Sequence, residues 1–166
     1  MRPGAGRLSA ACGLTAVAGH WIRWRHFDRG ALARLAQAIR EAEAGHVGEL
    51  VVAIETRLPP GAAGGRERAL EVFGRHRVWD TPARSGVLLY LALGDRRIEL
   101  IADRGVPVPD ADWQRICADL QARLRAGAYL DGLLAAVHAI EGELRGRLAN
   151  QAPDAGNRLA DEPVML

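Results

Sequence analysis

The segment SGVLLYLALGDRRIELIADRG, Ser85 to Gly105, gives the strongest indication of the fold of this chain. It is apolar at every position from Val87 to Leu93, which is typical of a strand covered on both faces. The next apolar residue, Ile98, follows too soon for a crossover connection, and the pair Gly94-Asp95 is typical of a primed two-residue turn. The two apolar runs are therefore predicted to form an antiparallel hairpin.

Another apolar strand precedes this hairpin. GELVVAIET, Gly48 to Thr56, is short, β-branched and continuously apolar, which again favours a strand buried on both faces. Residues 67–76, between the two strands, show the apolar spacing of a helix. A strand, a helix and a strand at this spacing form a right-handed βαβ unit, so the two strands should be parallel neighbours.

Helical periodicity marks three other segments. Asp28 is the expected N-cap of a helix that Gly45 ends. Asp110 opens a second helix that Gly127 ends, and a third carries apolar residues from 130 to 144. The prediction is an α/β sandwich on a small mixed sheet, with a parallel βαβ unit followed by an antiparallel hairpin.

The chain divides into three parts on this interpretation. Residues 1–26 form an N-terminal segment that is expected to be partly disordered, with Trp21 and Trp24 packing across the sheet edge. Residues 27–149 form the α/β domain. Residues 150–166 form a polar tail that is expected to be extended.

Composition excludes several classes of protein. The chain has 49% hydrophobic and 25% charged residues, as in a soluble globular protein. Its 22 basic residues are all Arg and are interspersed with 20 acidic ones, so no nucleic-acid partner is expected. No apolar run approaches ~20 residues, so no transmembrane segment is expected. A cytoplasmic location is expected, and export is the alternative if residues 8–19 act as a weak signal peptide.

Topology brings carboxylates to one end of the predicted sheet. Counting back from the hairpin turn pairs Asp103 with Gly86, and the parallel first strand begins at the same end with Glu49. The crossover returns the chain to this end at Asp80. Three neighbouring carboxylates repel one another unless a cation compensates, and their oxygens suit Ca²⁺ or Mg²⁺. Glu49, Asp80 and Asp103 are therefore candidate metal ligands.

Three residues beside these carboxylates are candidates for binding an anion or a substrate, namely Arg84, Ser85 and Arg104. Guanidinium groups suit phosphate because they donate paired hydrogen bonds. A simpler interpretation is that Asp103 caps its own turn and Gly105 supplies a positive φ. Direct acid–base catalysis is the third interpretation of this rim.

The opposite rim carries Glu55, Thr56 and Asp95 beside the loop PPGAAGG, residues 59–65. Ligands often bind beyond the carboxyl ends of parallel strands. The loop has neither the dinucleotide-binding spacing nor a phosphate-binding Lys, so it is interpreted as a connector. No nucleotide or organic cofactor is expected.

Four segments resemble the TPM-domain family, which is named after a thylakoid-lumen phosphatase, a photosystem repair protein and a worm receptor modulator. The likeness runs from about Phe27 to the C-terminus and is nearest to short, soluble bacterial members. The segments are AIREAEAGHVGELVVAIE (38–55), RALEVFGRHRVWDTPARSGVLLYLALGDRRIELIADRGV (68–106), WQRICADLQARLRAGAYLDGLLAAVHAI (113–140) and NRLADEPV (157–164). Ser85 stands where the family usually has Asn.

This resemblance implies a three-layer α/β/α sandwich, with a TPM-like domain over residues 27–149. No nucleophile motif such as Gly-x-Ser-x-Gly stands at a strand end, which favours a non-catalytic accessory or binding module with a protein partner of unknown identity. The resemblance adds a divalent-metal site, most simply for calcium, because some members of the family bind Ca²⁺ and others are accessory proteins of membrane complexes. The alternative that it implies is a weak metal-dependent acid phosphatase.

Overall fold

A four-stranded mixed sheet forms the centre of the described part of the protein. In the computed structural model, which describes residues 17–44, 46–148 and 159–166, the strands are β1 (Glu49–Glu55), β2 (Gly86–Ala92), β3 (Arg97–Ala102) and β4 (Val164–Met165). Their order across the sheet is β3-β2-β1-β4. Strand β1 is parallel to β2 and β4, and β3 is antiparallel to β2. The predicted βαβ unit and hairpin are confirmed.

Five helical segments surround this sheet within the described residues. They are α1 (17–26), α2 (Arg29–Glu43), α3 (Gly65–Arg75), α4 (Asp110–Arg125) and α5 (Tyr129–Leu148). The predicted cap of α2 is present, because Asp28 Oδ1 accepts a hydrogen bond from Ala31 N at 2.7 Å. Gly127 follows α4 with a φ of 81°, the left-handed conformation that ends many helices.

Alternate residues of β1 and β2 face two separate cores. Leu50 and Val52 belong to the core that α2, α4 and α5 cover, whereas Val51 and Ala53 pack with α3. All seven residues of each strand are buried. The three-layer α/β/α sandwich is therefore confirmed, with α3 alone among the described helices contributing to the second core.

The hairpin keeps its predicted register but uses a different turn. Ala92 lies opposite Arg97, and Arg96 N donates to Leu93 O at 3.3 Å. Within this turn Arg96 has a positive φ of 52°, whereas Gly94 and Asp95 do not have a positive φ. A primed turn requires positive φ at its central residues, so that prediction was wrong.

The C-terminal residues add a strand that has little sequence signal. Val164 and Met165 pair in parallel with β1, and Leu166 N donates to Ile54 O at 3.0 Å. Leu159 also packs against the core beside α3. The end of the expected polar tail is therefore part of the sheet, while residues 149–158 lie outside the described residues.

Helix α1 packs through its glycine and not through its tryptophans. A Cβ at Gly19 would lie 1.8 Å from Thr56 O, so α1 lies directly against the chain that leaves β1. Trp21 is 56% exposed and Trp24 is 79% exposed. The expectation that they pack across the sheet edge was wrong. Of residues 1–26, which were expected to be partly disordered, residues 17–26 are helical and residues 1–16 lie outside the described residues.

A buried ionic network links α3 to the two central strands. Arg68 Nε and Nη2 donate to the two carboxylate oxygens of Glu55 at 3.0 and 2.7 Å, and the Tyr90 hydroxyl donates to Glu55 Oε2. Glu55 is 7% exposed and Arg68 is 8% exposed. The hydrogen bond to Glu55 raises the pKa of Arg68, and burial followed by Glu55 raises the pKa of Tyr90. The network keeps both charges satisfied inside the protein.

Removing the cation from this network should be strongly destabilising. We expect Arg68→Met to lower the free energy of unfolding by about 3–5 kcal/mol, because Glu55 would stay buried without its countercharge. The control is Glu71→Gln, which removes only the half-exposed partner of Arg68 and should cost less than about 1 kcal/mol. Urea denaturation measures both values, and equal losses would contradict the importance of the buried pair.

Candidate functional site

The predicted rim is formed by the amino ends of β1 and β2 and by the turn after β3. Glu49 lies opposite Gly86 in the parallel pair. Asp103 N donates to Gly86 O at 2.9 Å from the other side. The predicted pairing of Asp103 with Gly86 is thus confirmed, and it places Glu49 and Asp103 on strands that flank the same glycine.

Two glycines allow the backbone to approach itself closely at this rim. A Cβ at Gly86 would lie 1.8 Å from Val78 O, and one at Gly105 would lie 2.0 Å from Ala83 O. Gly105 N donates to Arg84 O at 2.8 Å. Gly105 is not among the residues with positive φ, so the expectation that it supplies one was wrong. The Asp-Arg-Gly turn needs its glycine because it packs onto the segment that enters β2.

The three predicted metal ligands have different surroundings. Glu49 is buried, and its Oε2 accepts a hydrogen bond from Leu159 N at 2.8 Å. Asp103 Oδ1 accepts from Arg104 N at 2.7 Å, and Asp80 is exposed. Within the described parts of the chain, no group of three or more His, Cys, Asp and Glu side chains is placed to hold a metal ion. The calcium or magnesium site stays a prediction.

The three predicted anion-binding residues also differ. Ser85 is fully buried, its Oγ donates to Val47 O, and its N donates to Thr81 Oγ1 at 2.8 Å. Arg84 and Arg104 are exposed. The serine therefore joins the segments before β1 and β2, while the two arginines are accessible to solvent. Their role in binding an anion stays a prediction.

A further carboxylate cluster lies beside the start of β1 and was not predicted. Glu43, the last residue of α2, accepts a hydrogen bond from Leu50 N through Oε1 at 2.7 Å. The Glu43 carboxyl group also hydrogen-bonds Asp161, and the negative charge of Glu49 acts on it. The cluster therefore joins α2, β1 and the C-terminal segment.

Glu43 is a carboxylic acid at neutral pH. The pKa of Glu43 rises from 4.5 to about 8, mainly because the carboxyl group is buried. The hydrogen bond from Leu50 N lowers this pKa, whereas Asp161 and Glu49 raise it further. A protonated carboxyl group accepts a hydrogen bond with one oxygen and donates one with the other. The proton thus lets Glu43 bond to Leu50 N and to Asp161 without placing another negative charge in the cluster.

Helical periodicity could have identified Glu43 but not its partner. Glu43 follows the buried residues Ala36 and Ile39 by seven and four positions, which places it on the inner face of α2. Asp161 carries no comparable local signal. Its position depends on the pairing of β4 with β1, which brings residues far apart in sequence together.

The acidic residues of the opposite rim are also tied to the fold. Asp95 Oδ2 accepts a hydrogen bond from Leu58 N at 2.6 Å, and Thr56 O accepts one from Gly94 N at 2.9 Å. Glu55 belongs to the buried network with Arg68. These contacts hold the loop after β1 against the hairpin.

The sequence profile of the TPM domain matches residues 26–143 of this chain. The chain belongs to the TPM-domain family. The matched region contains β1, β2 and β3 and helices α2 to α4, and it ends within α5. Comparison with curated protein sequences finds no match.

Two solved structures share the fold of this TPM-domain chain. One is the NMR structure of the BA42 protein from the psychrophilic bacterium Bizionia argentinensis, with a TM-score of 0.74, 23% identity, and coverage of 86% of this chain and 97% of that one. The other is the solution NMR structure of the N-terminal domain of a protein from P. gingivalis, with a TM-score of 0.61 and 24% identity. The match covers 74% of this chain and 78% of that one. At these identities the likeness concerns the fold.

None of the helices in the described parts of this TPM-domain chain is long and apolar enough to cross a membrane. The choice between a cytoplasmic and an exported protein stays a prediction. The division at residues 26 and 149 also stays a prediction.

Glu43→Gln should flatten the pH dependence of stability. The pKa of Glu43 is about 8 in the folded protein, above its ordinary 4.5, so folding binds a proton between these values. The contribution of Glu43 to the free energy of unfolding is therefore complete below about pH 4.5 and is lost as the pH rises through about 8. Gln at this position keeps both hydrogen bonds without a titrating proton.

Urea denaturation over this pH range compares the wild type with Glu43→Gln and with Glu41→Gln, an exposed residue of the same helix. We expect the wild type and Glu41→Gln to lose stability together, and Glu43→Gln to lose less. Parallel profiles for all three proteins would show that the proton on Glu43 has no role in stability.

Proposed function

We propose that this TPM-domain chain is a non-catalytic accessory or binding module that contacts a protein partner at the rim formed by the starts of β1 and β2. The exposure of Trp79 carries this proposal, since 51% of its surface is exposed at that rim. The buried groups nearby, Glu49 and Ser85, are hydrogen-bonded to backbone atoms. They would have to break those bonds to take part in chemistry, whereas Trp79 needs no rearrangement to make a contact.

Trp79 is held by a well-anchored segment. Val78 is fully buried, and its carbonyl oxygen lies against Gly86 at the start of β2. A side chain presented from a fixed backbone loses little conformational entropy when it binds. Trp and Arg are enriched among the residues that dominate interface energies, and the exposed Arg84 and Arg104 belong to the same rim. These features support a protein contact.

A divalent cation, most simply Ca²⁺, is the second part of this proposal. Glu49 and Asp103 flank Gly86, which favours a shared cation. One oxygen of each carboxylate already accepts a backbone hydrogen bond, and the described residues do not form a three-ligand set. The proposed contact with a partner therefore does not depend on the metal.

A calorimetric Ca²⁺ titration with Asp103→Asn as the comparison tests the cation separately. Heat and a higher melting temperature in the wild type, both absent in the variant, would support a site at this rim, because a ligand of the native state stabilises it. Equal behaviour of the two proteins would contradict the assignment of Asp103 as a ligand.

Trp79→Ala should abolish partner capture. The experiment cross-links the tagged full chain in cells that produce it naturally and quantifies the recovered proteins by mass spectrometry. We expect one partner to be recovered with the wild type and reduced at least about tenfold with Trp79→Ala, as for the loss of an interface hot spot. Trp24→Ala, which removes another exposed tryptophan, is the matched control and should recover the partner normally. Loss of the partner in both variants, or in neither, would refute the assignment of this rim.

Phosphatase activity is the alternative function, with Arg84 or Arg104 orienting phosphate. We expect no hydrolysis of p-nitrophenyl phosphate, at acid or neutral pH, that follows the protein through purification. Chelator and Asp103→Ala should have no effect on the background rate. Hydrolysis that follows the protein and falls at least about tenfold in Asp103→Ala would establish the alternative and exclude a purely binding role.

A further inference from the structure

A cavity lies at the end of the sheet opposite the proposed partner surface. It is bounded by α1, by the β2–β3 hairpin and by the end of α4 with the start of α5, and its volume is about 490 Å³. This volume falls within the roughly 300–1,000 Å³ of small-molecule sites. The cavity opens beyond the carboxyl end of β2, where open α/β sheets commonly bind ligands.

The inner wall of this cavity is apolar. It includes Ile22 of α1, Leu91 of β2, Leu93 just after β2, and Leu124 of α4. Leu91 and Leu93 are buried, so they form a firm floor, while Ile22 and Leu124 are partly buried. Tyr129 adds an aromatic side chain whose ring is stacked on His26 at 4.4 Å. An apolar body would find contacts on several sides.

Three arginines also line the cavity, namely Arg96, Arg97 and Arg125, and of these the Arg97 side chain starts on the α3 face of the sheet, beside Gly65. All three are exposed, and no acidic residue is among the described residues of the lining. Glu99, two residues after Arg97, forms an ion pair with Arg66, in which Glu99 Oε2 lies 3.9 Å from Arg66 Nη1. The positive charge at this cavity is therefore not neutralised by the described residues that line it.

The other arginines of α4 and α5 differ from Arg125 at the cavity. On α4 and α5, Arg115, Arg123, Arg145 and Arg147 each form an ion pair with a nearby carboxylate. The concentration of unpaired cations beside an apolar wall is the feature that points to a ligand.

We infer that this cavity binds a single-chain amphiphile with an anionic head group, with the apolar chain against Leu91, Leu93 and Leu124 and the head group at Arg96 and Arg125. Guanidinium groups bind carboxylate and phosphate oxygens through charge-assisted hydrogen bonds, and the apolar wall removes the ligand chain from water. The site is independent of the proposed partner surface, because it uses other residues at the other end of the sheet.

Calorimetric titration of the full chain with four decyl compounds below their micelle concentrations tests this inference. The probes are decanoate, monodecyl phosphate, decanol and decyltrimethylammonium. We expect both anions to bind, decanol to bind at least about tenfold more weakly, and the cation not to bind, because the arginines attract only negative charge. Comparison of the affinities for decanoate and monodecyl phosphate shows whether the site prefers a carboxylate or a phosphate head group.

Variants locate the site. The double variant Arg96→Gln and Arg125→Gln should weaken decanoate binding at least about tenfold, and Leu124→Trp should abolish it by filling the cavity. Arg34→Gln, which alters an exposed arginine of α2, should leave it unchanged. Amide shifts in the NMR spectrum of the wild type should change at Gly94 and Leu124 on adding decanoate, which locates the ligand without relying on any variant.

Several results would overturn the inference. They are the absence of binding by both anions, equal binding of decyltrimethylammonium, unchanged affinity in the folded double variant, or NMR changes outside the cavity. None of these results bears on partner capture by Trp79, so failure here and failure of the proposed function are distinguishable.

Discussion

The burial of β1 and β2 on both faces is the constraint on which this structure depends. Their side chains alternate between two cores, and neither strand has a face that could meet water. Helices must therefore cover both sides of the sheet, as α3 does on one and α2, α4 and α5 do on the other. Glu55 and Tyr90 are tolerated in this apolar centre because Arg68 reaches them from α3 and supplies the opposite charge.

Most of the carboxylates that attract attention in the sequence support the fold. Glu49 binds the backbone of the C-terminal segment, Asp95 binds the loop after β1, and Asp103 caps its own turn. Each accepts a backbone N–H that would otherwise lack a partner at the end of a strand or in a loop. Because unsatisfied amides are costly when shielded from water, acidic residues at strand ends serve this purpose without being catalytic.

The two ends of the sheet offer different surfaces. At the start of β2, close backbone packing at Gly86 and Gly105 leaves little space, and Trp79 projects from a buried anchor at Val78. At the other end, α1 packs through Gly19 and leaves a cavity between itself, the hairpin and α4. The first surface suits a protein contact, and the second suits a small amphiphile. Membership of the TPM-domain family is compatible with both.

Local patterns in the sequence are enough to predict the order and type of the central elements. Continuous apolar runs, the crossover spacing and the short link at Gly94 define β1, β2 and β3 and place Asp103 beside Gly86, because strand pairing follows directly from local patterns. Glu43 could also have been found, since helical spacing places it on the inner face of α2.

The remaining features of the protein arise from tertiary packing. The contact of β4 with β1, the raised pKa of Glu43 beside Asp161, and the exposure of Trp21 and Trp24 depend on segments that meet through packing and not through neighbouring sequence. The cavity beside Arg97 has the same origin, since it is the space left where α1, the hairpin and α4 fail to fill the end of the sheet. Such features are properties of the assembled surfaces, and no periodicity along the chain encodes them.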